Sequence, residues 1–304
     1  MNVYMQILIN MVSKITKPLF ALLAIMFTAS VSARSSATYG EDYTAPDSSL
    51  ITHAVVKEFP MEAKPTYTVT VNGKKVGLYN DMSHWGGVVN FGSFEFKNGK
   101  EITIRITYAG DMKSYEVLPI KKLDLLKVKK TGKRTIEIKT NRADQNITVI
   151  VNGEAKKDVL HLFCNSVDVK APAVPDSKGY HCYENLKLHY FGPGFHDLKK
   201  IFKDRDMLVL NDGWKVYIAG GAVLYGRIGL WGTNKGTKVY GRGMVYNDTN
   251  NARVIFEANE CKGADVEGVL FHCHRAGVWQ VVINHCRNVE FKGVKILSTR
   301  YAST

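Results

Sequence analysis

The chain has 304 residues, 45% of them hydrophobic, with 41 lysines and arginines against 28 acidic residues and a formal net charge of +13. That length and hydrophobic content allow sizeable cores in two domains. Five cysteines exclude a disulfide-built scaffold, and no stretch beyond the leader is long and apolar enough to cross a bilayer.

The N-terminus carries Lys14 and Lys17, an apolar run over 19–27 and the small-residue site Val31-Ser32-Ala33. This is the layout of a secretory signal peptide spanning 1–33. The run is shorter than the about 20 residues a transmembrane helix needs. No cysteine follows the site to take a lipid anchor. The mature protein is expected to be secreted or periplasmic, without stable membrane insertion. Removing the leader takes two lysines and leaves +11. Such a charge concentrates polyanions at the surface, but nucleic acid is disfavoured as a partner, because no reading module is visible.

Residues 34–189 read as a β-sandwich after a Ser-rich start at 34–44. Segments 66–71 (TYTVTV), 94–96, 101–107 (EITIRIT), 134–139 (RTIEIK) and 146–151 (NITVIV) alternate apolar and polar residues, the period of antiparallel strands with one face buried. Asn72-Gly73 and Asn152-Gly153 are hairpin turn signals. The basic run 121–134 (KKLDLLKVKKTGKR) carries Leu123, Leu125, Leu126 and Val128 at strand-like spacing. It reads either as a solvated strand face or as a patch for an anionic substrate. The stretch 171–179 (APAVPDSKG) is expected to be a long loop or linker.

Between 211 and 297 the sequence repeats itself. A turn residue recurs as Gly213, Gly236, Gly263 and Asn288, each three residues before an apolar position, Val216, Val239, Val266 and Phe291. The steps are 23, 27 and 25 residues. The last repeat aligns Cys261 with Cys286, Gly268 with Gly293, Val269 with Val294 and Phe271 with Ile296. Short β-branched segments broken by glycine at a period in the twenties predict a parallel β-helix. A leucine-rich repeat lacks its Leu and Asn spacing here. Cys261 and Cys286 would stack about 4.8 Å apart on neighbouring coils, which suits either a bridge or a reduced interior ladder. The odd count of five leaves at least one thiol free within a single chain.

The motifs FGPGFH from Phe191, NDGWKVYIAGGAV from Asn211, VYGRG from Val239, and Trp279 followed by NHCRNV from Asn284 resemble the β-helix entry of polygalacturonase-like and dextranase-like glycoside hydrolases. This is the pectin-lyase-like group of right-handed parallel β-helices, and the resemblance covers 190–304. It implies an all-β chain, a sandwich followed by the first coils of the helix, acting on a polysaccharide and using no cofactor. The +11 charge invites an acidic galacturonan, whereas the sandwich-plus-helix layout is similar to enzymes acting on neutral glucans. Enzymes of this group hydrolyse glycosidic bonds with Asp carboxylates, one as acid and another activating water, usually with inversion. Those carboxylates lie on middle coils, beginning just past the coil equivalent to 288–297. The resemblance therefore places the catalytic residues beyond Thr304, and 190–304 is expected to be the truncated start of the helix, inactive alone. A polysaccharide lyase on the same fold and a non-catalytic carbohydrate-binding protein are the alternatives.

Candidate substrate-binding residues are Trp279, His274 and Arg275. Each tryptophan, Trp85, Trp214 and Trp231 included, is set between sugar stacking and plain packing. His272, Cys273 and His274, with His285, Cys286 and Cys261 nearby, carry zinc-ligand chemistry. Strand alternation turns His272 and His274 away from Cys273, so no metal is expected. Asp265 and Glu267 share a face, and their repeat partners Lys238 and Glu290 point to an exposed row. Asp204, Asp206 and Asp212 fall in connecting segments with no pairing pattern. Asn146-Ile147-Thr148 is a formal glycosylation sequon.

Overall fold

The computed structural model describes residues 49–119, 125–168, 170–248, 254–273 and 279–299. The leader 1–33 and the segment 34–44 lie outside them.

The alternating segments become two facing sheets. One has the order Lys74–Val76, Tyr67–Val71, Ile102–Tyr108, Thr135–Thr140, Lys127–Lys130. Its inward residues Val69, Val71, Ile104, Ile106, Ile136 and Ile138 have no exposed surface. The other runs Leu50–Thr52, Val88–Phe96, Val159–Ser166, Gln145–Val151, Tyr115–Leu118, with Tyr79–Met82 also paired to Val88–Phe96. Ile147, Val149, Leu160, Leu162, Phe94 and Phe96 complete the common core. Each such side chain contributes about 1.5–3 kcal/mol on leaving water.

The hairpin at Asn72-Gly73 forms as the dipeptide predicts, with φ of 48° and 80°. The sandwich departs from an all-antiparallel pattern at one place. Val159–Ser166 runs parallel to Val88–Phe96, Val159 opposite Val89 and Ser166 opposite Phe96. In the basic run, Leu126 is buried while Lys127, Lys129 and Lys130 are exposed along an edge strand. That is the usual protection of a sheet edge, so these lysines form a solvated face.

From Tyr180 onward three parallel sheets stack into a β-solenoid. The ladder sheet holds Leu188–Phe191, Lys215–Ile218, Thr237–Gly241, Ala264–Glu267 and Val289–Lys292, one strand for each of five successive coils. The seam sheet holds Gly194–Asp197, Ala222–Tyr225, Met244–Tyr246, Leu270–Cys273 and Lys295–Ser298. The open sheet holds Met207–Leu210, Arg227–Trp231, Val254–Asn259 and Trp279–Asn284.

The sequence repeat is the physical register. Val216 pairs with Val239, Val239 with Val266, and Val266 with Phe291. The three valines are fully buried. Gly213, Gly236 and Asn288 take the left-handed conformation expected of their corner, at φ 74°, 71° and 54°. Gly263 is the exception and is not left-handed; the corner three residues before it is, at Glu260 (φ 59°), as at His285 (φ 52°) one coil on. The repeat also begins one coil before 211, because Leu188–Phe191 pairs in register with Lys215–Ile218. Tyr180–Tyr183 adds antiparallel to that first strand and covers its edge.

Two outer faces of the solenoid are covered. Ala171 and Val174 pack on Leu188, Tyr190, Tyr217 and Ala219 of the ladder sheet; the 171–179 segment is thus a docked strap. The seam sheet meets the sandwich, where Val223, Met244, Tyr246 and Leu270 pack against Val56, Phe59, Phe91 and Phe163.

Candidate functional site

Charge is concentrated at the seam. His53 Nε2 lies 3.1 Å from Glu95 Oε1, and Asp168 N donates to Glu95 Oε2 at 3.1 Å. Arg242 donates from Nε and a terminal nitrogen to Ser166, both at 3.2 Å, and Lys295 Nζ donates to Asn165 Oδ1 at 2.6 Å. Burial pushes the Asp168 carboxyl up, against the pull of Arg242 beside it. Burial also lowers Lys295 to about 8, helped by the Arg242 charge. Yet the cavity between the two domains there is only about 30 Å³, roughly the share of one water. No sugar ring enters it. A larger hollow of about 640 Å³ on the sandwich, lined by Thr52, Met61, Pro65, Thr68, Lys75 and their neighbours, presents no carboxylate and no tryptophan.

The open sheet differs in both respects. Its strands bury Leu210, Leu230 and Ala258 inward, so alternation turns the intervening residues outward. One outward row is Val209, Gly229, Glu257, Val282, and the next is Trp231, Asn259, Asn284. A Cβ on Gly229 would lie 3.0 Å from Met207 Sδ and 3.5 Å from Trp231 Cε2. The Trp231 indole therefore reaches back along its own strand beside the glycine, whose other neighbour is Met207. It remains 48% exposed. The indole thus touches this glycine–methionine surface while about half of the residue stays in solvent, with Asn259 and Asn284 following it in register at about 4.8 Å per coil.

Carboxylates rim this face. Asp206 is ion-paired with Arg227 at 2.7 Å, and Asp248 accepts from the Tyr225 hydroxyl at 2.6 Å. Tyr225 is pushed up by burial first and then by Asp248, with Asp197 and Asp206 adding to it. Asp212 lies past the first open-sheet strand, where the Thr233 hydroxyl, 2.6 Å away, holds its carboxyl below the usual range. Among the described residues of the outward rows, Glu257 is the carboxylate on the face itself.

The residues singled out in the sequence scatter. Trp279 is 64% exposed at the start of the last open-sheet strand. It pairs with Val254, five residues before Asn284, on the opposite side of the strand from the Trp231 row. His274 and Arg275 lie outside the described residues. Trp214 stacks on His189 at 4.8 Å, and burial lowers that histidine to about 4. Trp85 is 55% exposed on the sandwich, with Lys156 Nζ 4.9 Å from its ring centre. Cys273 faces the solenoid core while His272 faces the seam, its Nε2 2.6 Å from Asp81 Oδ2. Among the described residues, no three His, Cys, Asp or Glu side chains converge as a metal site. Asp265 pairs with Lys238 at 3.5 Å and Glu267 with Lys170 at 2.6 Å, an exposed ion-paired row. All five cysteines are free.

Trp231 was not among the favoured candidates. Its outward direction follows from the buried Leu230 beside it, but its neighbour Met207 comes from the adjacent strand.

No family model matches the sequence, and no curated protein matches it. Among solved structures the chain is similar to Dex49A from Penicillium minioluteum, at 10% identity and a TM-score of 0.39, over 81% of this chain and 72% of that one.

Proposed function

We propose that this chain is the carbohydrate-binding part of an exported glycoside hydrolase, holding a polysaccharide along the open sheet. The observation that carries the reading is Trp231. Its indole lies against Gly229 with the residue 48% exposed, and it heads a row of two asparagines on the solenoid face that no described segment covers. An aromatic face stacks on the apolar side of a pyranose, and amides hydrogen-bond its hydroxyls. The polymer runs along the solenoid axis, rung by rung.

The hydrolase part of the reading rests on the motifs from Phe191 to Gly243, which build the first turns of the helix. The chain turns tightly there: Gly194 adopts φ 127°, and the buried His196 bonds through Nε2 to Gly192 O at 2.6 Å. Hydrolysis needs two carboxyl groups across the scissile bond. Glu257 is the one that the described outward rows present. That observation favours a second reading, binding without turnover.

Titration of the full chain with soluble dextran and pectin, alongside reducing-sugar release, separates the readings. Saturable binding with no sugar release supports binding alone, and release supports a hydrolase. No binding to a broad polysaccharide panel defeats both.

A further inference from the structure

The turn that leaves the open sheet carries a column of side chains that do one job. Asn234 Nδ2 donates to Leu210 O at 2.7 Å. One coil on, Cys261 Sγ donates to Leu230 O at 3.1 Å. One further, Cys286 Sγ donates to Ala258 O at 3.4 Å. The three acceptors are themselves register partners, Leu210 with Leu230 and Leu230 with Ala258. The donors are therefore equivalent positions on successive turns, and the two thiols are neighbours in the stack.

Backbone bonds bracket the cysteine pair on both sides. Glu260 N donates to Asn284 O at 2.9 Å, and Arg287 N donates to Cys261 O at 2.8 Å. The preceding residues Glu260 and His285 share the left-handed conformation, at φ 59° and 52°. Equivalent Cα atoms on coils stacked this way sit about 4.8 Å apart, inside the roughly 4.4–6.8 Å range of disulfides. The partners differ in access: Cys261 is fully buried and Cys286 half-buried.

We propose that Cys261 and Cys286 form a redox pair that closes to a disulfide between the fourth and fifth coils, fixing the Asn259–Asn284 rung two residues upstream. The oxidant is a small-molecule or protein disulfide. The Cys286 thiolate attacks one of its sulfurs, forming a mixed disulfide and expelling one thiol. Cys261 then attacks Cys286 Sγ and expels the second. Two electrons pass to the oxidant, and the two thiol protons end on the two released thiols. Burial and the neighbouring Cys286 push the Cys261 thiol up, so closure quickens as the pH rises. The proposal stands independently of the polysaccharide reading.

The test treats the reduced full chain with oxidised glutathione at mildly alkaline pH, followed by non-reducing peptide mapping. The expected product is one cross-link joining the peptides of Cys261 and Cys286, with free thiols falling from five to three. The unfolding temperature should rise over the reduced chain. In C261S, glutathione should persist on Cys286; in C286S, Cys261 should stay unmodified, so either variant decides the matter if the other folds poorly. A lasting mixed disulfide on Cys286 in the unmutated chain, or cross-links dominated by Cys182, overturns the proposal. So does unreacted thiol at both positions.

Discussion

His272 and Asp81 meet at 2.6 Å across the seam between solenoid and sandwich, neither side chain retaining any exposed surface. The other ring nitrogen, Nδ1, faces Leu297 O at 3.0 Å, an acceptor only, and so donates. Asp81 Oδ2 also accepts from Thr299 Oγ1 at 3.2 Å. Nε2 and Nδ1 thus hold the ring between the sandwich carboxylate and a solenoid carbonyl. Removing one partner of such a buried pair costs about 3–5 kcal/mol, because the other is stranded. Asp81→Ala should lower unfolding stability by that amount in denaturant titration. A loss below about 1 kcal/mol would show the pair is not holding the seam.

The corners of the solenoid separate glycines that look alike in sequence. At Gly241, φ is 129° and a Cβ would fall 2.0 Å from Ile218 O; at Gly236, φ is 71° with nothing within 4 Å. Gly236→Ala should cost roughly 1–2 kcal/mol, the ordinary penalty of left-handed backbone. Gly241→Ala adds a backbone clash and should exceed about 3 kcal/mol or prevent folding. Equal melting temperatures for the two variants would contradict the coil geometry.

Lys295 ties stability to pH. Its pKa falls from 10.5 to about 8 in the folded chain, chiefly by burial. Below the folded value both states carry the charge, and the penalty is constant. Between about 8 and 10.5 the unfolded chain binds more protons, so this group makes stability rise with pH. The full effect is about 3 kcal/mol at most. Lys295→Met should be more stable than the parent at pH 7, and the difference should shrink towards pH 10. A difference independent of pH would show that Lys295 is not held as a buried cation.

Thiol reactivity should follow depth. Cys182 is exposed, Cys286 half-buried, and Cys164, Cys261 and Cys273 buried. In the reduced native chain an aromatic disulfide reagent should label Cys182 first and Cys286 more slowly, reaching the other three only on unfolding. Fast reaction of Cys164, whose thiol burial pushes strongly upward, would contradict the sandwich core.

What the sequence revealed follows the range of the forces involved. The rows Val216, Val239, Val266 and Phe291 were legible because each coil repeats one local demand: an apolar residue inside and a turn at a fixed offset. The Asn72-Gly73 hairpin was legible for the same reason. Asp81 and His272, 191 residues apart, carry no mutual signal, since their pairing exists only once two domains dock. The parallel Val88–Phe96 and Val159–Ser166 pair is equally long-range. In the candidate site, Trp279 stood out by its motif, yet it lies on the other side of its strand from the polar rung. Trp231 carries no motif that separates it from the other tryptophans. Its neighbour Met207 comes from the adjacent strand, a contact that only the pairing creates.

The affinity of Trp231→Ala for the polysaccharide the parent chain binds best, by calorimetry on the full chain, tests the open sheet as a binding face most directly. Losing a central aromatic contact costs about 2 kcal/mol or more, which is about 30-fold in Kd. Asn259→Ala should cost less, and Trp214→Phe, on the ladder side of the solenoid, should leave Kd unchanged. A Trp231→Ala chain that folds and binds like its parent would contradict the claim that the open sheet is the carbohydrate-binding face.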